Sequence, residues 1–436
     1  MNAIVQRQRR VAIIGSGIAG LGAAHRLADS CRVTLFEAEP ELGGHSRTRD
    51  VAGVAVDTGF IVFNYKTYPL LTALFAELEV ETHSSSMTFG ASLGEGRFEY
   101  AFPALKGVYA QPRNLLSPRY FRLIQDIRTF NRRALASLEE GMTLRDLLAK
   151  LKLGDWFQRR YLLAMVGAIW STAPADMLDY PAATLLRFMD NHGLLSIWEQ
   201  PEWRTVTGGS RVYVRRLEDS LRARGVTIHC NAEVSAVQRD PKPTIERKGA
   251  SAAEPFDAVI FACHADQALA LLSDADTRER QILAALRYAP NEAILHSDPR
   301  AMPKRRAAWA SWNYLGDFEQ NERQVSVTYW MNQLQSLPES PALFVTLNPR
   351  QDMALKAVHD RVTFWHPQYA AAALAAQRQL PSIQGLRQAW FCGAYARHGF
   401  HEDGLWSGYQ AADHLLGQIA ERRTAAAAAE RLASAS

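Results

Sequence analysis

Val11-Ala-Ile-Ile14 is an unbroken apolar run that leads directly into Gly15, Gly17 and Gly20. A helical pattern follows to about Asp29, so the stretch predicts a buried parallel strand, a tight turn and a helix. Each glycine has its own task. Gly15 permits the turn, Gly17 lets backbone approach a pyrophosphate, and Gly20 lets the helix press on the strand. Ser16, Ile18 and Ala19 complete the loop, whose free N–H groups at the helix N-terminus attract phosphate. A second strand pattern, Arg32 to Phe36, stops at Glu37, twenty residues after Gly17, with Ala38 beside it. A carboxylate there reaches the hydroxyls of an adenosine ribose. A lone glycine motif is weak evidence. Strand, glycines, helix, second strand and acid in this order and spacing are strong evidence for a dinucleotide site.

Leu42-Gly43-Gly44-His45-Ser46-Arg47 comes soon after the acid, and Asp57-Thr58-Gly59-Phe60 follows in the next strand-like segment. The Gly43-Gly44 pair lets backbone pass beside a pyrophosphate, and Arg47 can neutralise it. In these residues the chain resembles the flavin amine oxidase and phytoene desaturase superfamily. That resemblance implies an α/β fold: a Rossmann-type FAD-binding domain of the glutathione-reductase type, with a discontinuous amine-oxidase-like substrate domain of α+β character. It also implies non-covalent FAD, with the strand at Glu233-Val234 lending backbone to adenine and Ala262, Cys263 and His264 lying near the pyrophosphate. Late in the chain, Gly393 to Gly408 resembles the superfamily's second flavin motif. By that match Gly393 touches pyrophosphate or ribityl, and Glu402, Asp403, Gly404 and Leu405 lie at the pyrimidine edge, where a helix N-terminus favours negative charge. No second GxGxxG is present, so no separate NAD(P)H site is expected.

At 436 residues the chain is long enough for two or three domains, and its 47% hydrophobic and 22% charged residues are ordinary for a globular protein. No window approaches eighteen apolar residues, so no transmembrane helix is expected. The first ten residues lack an apolar core, so no secretory signal is read there, and a cytoplasmic location is expected. Cys31, Cys230, Cys263 and Cys392 lie far apart with no CxxC, which fits reduced thiols and argues against a metal site. Between Arg113 and Arg133 there are six arginines against the single acid Asp126, interleaved with apolar residues at helical spacing. With Ser117 as cap and Pro118 in the first turn, this predicts an amphipathic helix with a basic face. That face is either simply solvated or lies peripherally on the anionic inner surface of a membrane. No basic tail or nucleic-acid module accompanies it, so nucleic acid is not a partner.

Composition and pattern divide the chain into FAD-binding segments at 1–81, 205–266 and 388–421. Two substrate-domain inserts, at 82–204 (mostly helical) and 267–387 (sheet plus helices), separate them, and an Ala-rich tail covers 422–436. Thr143 is read as a helix cap with Asp146 in the first turn. The second insert shows strand patterns at Ala293 to His296, Val325 to Met331 and Ala342 to Leu347.

Phrases such as Phe188-Met-Asp-Asn-His192, Val327-Thr-Tyr-Trp-Met331 and Gly399-Phe-His-Glu-Asp-Gly404 are similar to one bacterial subgroup of the superfamily, described only as NAD/FAD-binding or amine-oxidase-like. Its members are associated with enzymes resembling cyclopropane-fatty-acid synthase and with methylated or furan fatty acid synthesis. The resemblance therefore implies oxidation, as desaturation, of a methylated or unsaturated fatty acyl chain, free or phospholipid-linked, by hydride transfer to flavin N5. O2 or another electron acceptor would restore the oxidised state, and a lipid methyltransferase is an expected partner. Trp170, Phe188, Trp309, Trp312, Tyr329, Trp330 and Phe400 suit a greasy pocket, or else pack the core. The strand where amine oxidases carry a lysine aligns near Ala289 to His296 and holds none, leaving Asn291 or His296 nearest. His192, beside Asn191, is either a general base or a satisfied core histidine, and His401 is placed by its motif against substrate or ring. An amine oxidase acting on a soluble amine and a non-catalytic FAD-binding assembly factor remain alternatives, and a redox-neutral isomerase is conceivable.

Overall fold

The computed structural model describes residues 8–102, 105–170, 176–191, 193–195, 201–318, 326–350 and 353–435. Five strands form an all-parallel sheet: β1 (Arg10–Ile14), β2 (Arg32–Phe36), β3 (Thr227–His229), β4 (Ala258–Phe261) and β5 (Ala389–Phe391). Their order is β3-β2-β1-β4-β5, so the two strands at the centre of the nucleotide motif lie side by side. β1 and β4 are covered on both faces, which is why they read as continuous apolar runs rather than alternating ones.

The helices that matter for the site are α1 (Ile18–Leu27), α2 (Pro69–Glu77), α3 (Pro118–Arg133), α4 (Ala182–Asn191), α5 (Arg211–Ala223), α6 (Ala371–Gln379) and α7 (His401–Ala435). α1 is buried almost all round because α7 crosses it at backbone contact. A Cβ on Gly408 would lie 2.1 Å from the Ala19 carbonyl oxygen, and one on Gly404 would lie 2.8 Å from Ile18 Cγ2. This crossing brings the N-termini of two helices that are almost four hundred residues apart to the same place.

A second, seven-stranded sheet carries the substrate side. Its order is Val358–Pro367, Tyr288–His296, Phe344–Leu347, Ser326–Trp330, Trp312–Gly316, Phe89–Leu93 and Phe98–Phe102. The last two strands come from the first insert, and Phe89–Leu93 pairs in parallel with Trp312–Gly316, so the two inserts share one sheet. Helices of the first insert pack on it. α3 buries Tyr120, Leu123, Ile127 and Phe130 at the spacing its sequence predicts. Pro118 opens that helix, but the Ser117 hydroxyl makes no capping bond. Thr143 does cap its helix, in a reciprocal box with Asp146. Among the described residues no helix is long and apolar enough to cross a membrane.

One buried carboxylate joins three parts of the chain. Asp57 accepts hydrogen bonds from Thr48 Oγ1 (2.6 Å), from Ser210 N and Oγ (2.9 and 2.8 Å) and from Gln335 Nε2 (3.0 Å). It thereby ties the first nucleotide segment to the Gly-Gly-Ser turn before α5 and to the second insert.

Candidate functional site

At the end of β1 the chain turns through Gly15 at φ +101°, where a Cβ would lie 2.8 Å from the Ala262 carbonyl oxygen. Only glycine adopts that backbone without strain. Gly20 is excluded from bearing a side chain for a different reason, since a Cβ there would lie 2.0 Å from the Gly15 carbonyl oxygen. Gly17 is the opposite case: a Cβ would meet nothing within 4 Å. It opens onto a cavity of about 810 Å³. α1 starts there with no side-chain cap and no acid in its first turn, so its unsatisfied N–H groups face that space. At the same rim Gly43 and Gly44 adopt φ +119° and +57°, and Gly44 stands against the Gly17 Cα.

Glu37, just past β2, lines the cavity at the end where the sequence places an adenosine ribose. Its Oε2 accepts from Ser16 N (2.8 Å) and Oγ (2.5 Å), and Oε1 accepts from Glu39 N (2.9 Å). A carboxylate has about four acceptor positions, so capacity remains for a ribose hydroxyl. Ala38, Val234, Ala262, Cys263 and His264 line the same cavity. An open helix N-terminus, a glycine that leaves room, and an acid at the strand end fit the phosphates and ribose of FAD.

At the other helix terminus, Gly393 and Gly404 line the cavity, and Ser407 Oγ accepts from Gly393 N at 2.8 Å. The His401 ring stacks on Phe60 (centroids 3.9 Å, planes 11° apart), and its Nε2 lies 2.7 Å from the Tyr213 hydroxyl. Tyr213 in turn bonds Ser46. Burial pushes the His401 imidazole down to about 3, so it is neutral. Across the cavity His45, His264 and His366 gather around Phe364 and Tyr288; His45 stacks on Phe364 at 4.7 Å and His264 on Tyr288 at 4.3 Å. Burial holds them down as well, to about 4, 4 and 3 respectively.

Beyond the helix terminus the cavity runs between Ile61, Val62, Met87, Phe89, Phe102, Tyr161, Met165, Phe188, Trp312, Tyr329 and Phe400. Phe188 and Phe400 stack as one wall, with centroids 4.8 Å apart. Among the described lining residues the acids are Glu37, Glu39 and Glu233, all at the nucleotide end, and there is no lysine or arginine.

Several sequence-expected residues stand elsewhere. Arg47 does not reach the cavity, because it is paired with Asp360 of the second insert. Glu402 accepts from Leu70 N and Leu71 N (2.8 and 3.0 Å) and so caps α2. Asp403 accepts from Phe400 N and His398 N, bracing its own loop. Leu405 serves packing, filling the space that the missing Gly22 side chain leaves, while Gly20 has the close helix–strand contact its motif predicts. His296 is fully buried in the second sheet, away from the cavity. Its Nδ1 accepts from Asp298 N, so the proton is on Nε2 and goes to Thr346 Oγ1 at 2.7 Å; it is a structural histidine, not a base. Trp309 and Trp330 pack edge to face with Arg306 over both rings, off the cavity. His192 lies outside the described residues, as do the side chains of Asn191 and Trp170. Conversely, Tyr68, Tyr288, Phe364 and His366 line the cavity, and Tyr213 and Ser407 brace His401 and Gly393 behind its wall, although no motif marks them. They arrive from distant elements, and nothing local marks them.

A parallel sheet with two helix N-termini opening on one cavity is the architecture of a dinucleotide-binding protein. Residues 18–305 match the family described as flavin containing amine oxidoreductase, and the chain belongs to that family, with FAD as its cofactor. It is 36% identical to coproporphyrinogen III oxidase of Mycobacterium tuberculosis over 84 residues, which span 18% of this chain and 18% of that protein. Among solved structures it resembles the CLA-producing fatty acid isomerase from P. acnes (15% identity, 94% of this chain and 98% of that one, TM-score 0.67). Cyclohexylamine oxidase from Brevibacterium oxydans is similar as well (18% identity, 94% and 99%, TM-score 0.62). At such identities these likenesses show a common fold.

Proposed function

We propose that this FAD-dependent oxidoreductase oxidises a fatty acyl chain, methylated or unsaturated, by desaturation. The observation that carries the reading is the far end of the cavity, an aromatic and aliphatic tunnel with no acid, lysine or arginine in its described lining. Bound FAD supplies the two-electron acceptor. The protein's part is to bind and to exclude water. Each methylene buried there contributes about 0.8 kcal/mol, so ten supply about 8 kcal/mol, the scale of micromolar binding. A charged ammonium would be desolvated there without a partner, at a cost several times larger than its apolar contacts return. The Phe188–Phe400 wall and the Phe60–His401 stack set the width of the slot. We assign His401 to positioning: a group held near 3 takes up a proton poorly, whereas its bond to Tyr213 fixes the ring. The fatty acid isomerase likeness supports an acyl ligand for this fold.

The test is anaerobic. Phospholipid vesicles or free acids carrying methylated or monounsaturated chains are expected to bleach the visible band of the holoprotein, and new double bonds should appear in the recovered lipid. Bleaching by polyamines or cyclic amines, with indifference to lipid, would return the chain to amine oxidation. A yellow band that no lipid and no amine bleaches would favour an assembly role beside a lipid methyltransferase.

The basic helix fits such a substrate, and we propose that it rests on an anionic bilayer. Phe121 is 55% exposed and Leu116, just before α3, is 88% exposed. Arg128 and Arg132 lie about two and three turns further along the Phe121 stripe of the helix. An arginine near an anionic surface contributes about 1 kcal/mol, so Arg128→Gln with Arg132→Gln is expected to weaken vesicle binding by about 30-fold. Cosedimentation with phosphatidylserine vesicles measures it, and equal binding by parent and variant would remove this contact.

A further inference from the structure

We propose that a second pocket, next to the apolar tunnel, binds the carboxylate of a free fatty acid; this rests on the acyl reading above. The pocket has a volume of about 200 Å³ and is lined by Tyr369, Gln377, Arg378, Arg397, His398 and Thr184 among others. Among the described residues neither Arg378 nor Arg397 forms an ion pair, although both are exposed cations at its wall. Arg397 is held over the Trp406 ring at 4.1 Å, which limits where its guanidinium can go. Tyr369 is 9% exposed, and its buried hydroxyl makes no hydrogen bond. A buried donor without an acceptor is an incomplete arrangement, and a carboxylate oxygen is the acceptor that two guanidinium groups would accompany.

The geometry links this pocket to the tunnel. The loop from Arg397 to Phe400 puts His398 into the small pocket and Phe400, two residues on, into the large one. The His398 ring lies 6.5 Å from that of Phe188, which forms the tunnel wall with Phe400. The loop is braced from both sides. Gln377 Nε2, on α6, donates to the carbonyl oxygens of Tyr395 (2.7 Å) and Arg397 (2.5 Å). Asp403 on α7 spends its Oδ2 on the N–H groups of His398 (3.3 Å) and Phe400 (3.0 Å). Gly399, at φ +91°, lies against the Tyr369 hydroxyl, where a Cβ would come within 2.5 Å. The loop is therefore held in place, and on this proposal a charged head sits here while the chain lies along the aromatic wall.

The experiment titrates the holoprotein with oleate and with methyl oleate, following the perturbation of the bound flavin's absorbance. Wild type is expected to bind oleate more tightly than the ester. Arg378→Gln with Arg397→Gln, and separately Tyr369→Phe, should weaken oleate by about 10-fold or more and leave the ester unchanged, which is the scale of a lost hydrogen bond to a charged group. The retained yellow colour reports that each variant is folded. Equal oleate affinity in parent and variants overturns the subsite and leaves the acyl reading standing. A parallel loss of oleate and ester overturns it too, since the residues would then be structural. Failure of both ligands to perturb wild type overturns the subsite together with the acyl reading.

Discussion

Gly17→Val is expected to fold as the parent does and to purify colourless. Gly17 sits at φ −64° and ψ 175°, extended backbone that valine adopts readily, and a Cβ there meets no atom within 4 Å. The Cβ position is open in the protein alone. What the side chain blocks is the approach of a pyrophosphate to the first N–H groups of α1, and FAD affinity should fall by at least about 100-fold, or about 2.8 kcal/mol. Gly20→Val is the contrasting control. Its Cβ would lie 2.0 Å from the Gly15 carbonyl oxygen and 3.1 Å from Ala262 Cβ, so α1 must leave the sheet. That change should destabilise the fold by more than the usual 1–3 kcal/mol of overpacking. Visible absorbance per mole of protein and thermal melting of the FAD-free forms separate the two effects. A yellow Gly17→Val protein with normal affinity would mean that the phosphates do not use this helix terminus.

The contrast explains why the nucleotide half of the molecule can be read from its residues. The roles of Gly15, Gly17 and Gly20 are set by backbone geometry within ten residues, and the acid at Glu37 is placed by the strand that follows. The same holds for Thr143 with Asp146, which cap a helix across three residues, and for the buried stripe of α3. Local chemistry is legible because both partners lie in one window. The shared sheet is not: Phe89–Leu93 finds its partner at Trp312–Gly316, more than two hundred residues away. No periodicity announces that pairing.

Polar side chains show the same division more sharply. Arg47 follows the glycine pair where a pyrophosphate contact is expected, yet its partner is Asp360, 313 residues on. Glu402 stands in the first turn of the helix that opens on the cavity, yet it serves the open N–H groups of Leu70 and Leu71. In both cases the motif puts the backbone in the right place while a distant element claims the side chain. Trp309 and Trp330 are as aromatic as Trp312 and Tyr329, and only the packing of Arg306 onto the first pair tells a cation-stacked cluster from a tunnel wall. Gly399, which carries no chemistry of its own, shapes the turn that puts His398 and Phe400 into different pockets.

Acidification is expected to destabilise the protein from about pH 6.5 downward, above the ordinary carboxylate range. Burial pushes five histidines below their ordinary 6.5: His45, His264 and His296 to about 4, and His366 and His401 to about 3. For a group with a depressed folded value, the unfolded chain takes up protons first as pH falls. The stability is therefore full above about 6.5 and is lost down to about 4. His296, fully buried, accounts for about 3 kcal/mol by itself, because lowering a pKa by one costs the protonated form about 1.4 kcal/mol. Asp57 works the other way. Burial raises its carboxyl from 3.8 to about 6, so its contribution is present below 3.8 and lost as pH rises through 6. Burial raises the Glu402 and Asp403 carboxyls in the same sense, but three raised carboxyls do not offset five lowered imidazoles, and the sum favours unfolding in acid. His45 and His264 line the cavity, where the negative phosphates of FAD favour protonated imidazole and reduce their share. His296 stands apart from that influence in the second sheet, bonded to Thr346 and to Asp298 N. Urea unfolding of the holoprotein between pH 7.5 and 4.5 should show a stability that falls with pH below about 6.5. His296→Gln should flatten that slope by about one proton, about 1.4 kcal/mol per pH unit. A stability that stays level from pH 7 to 5 would show that these imidazoles are not held neutral by the fold.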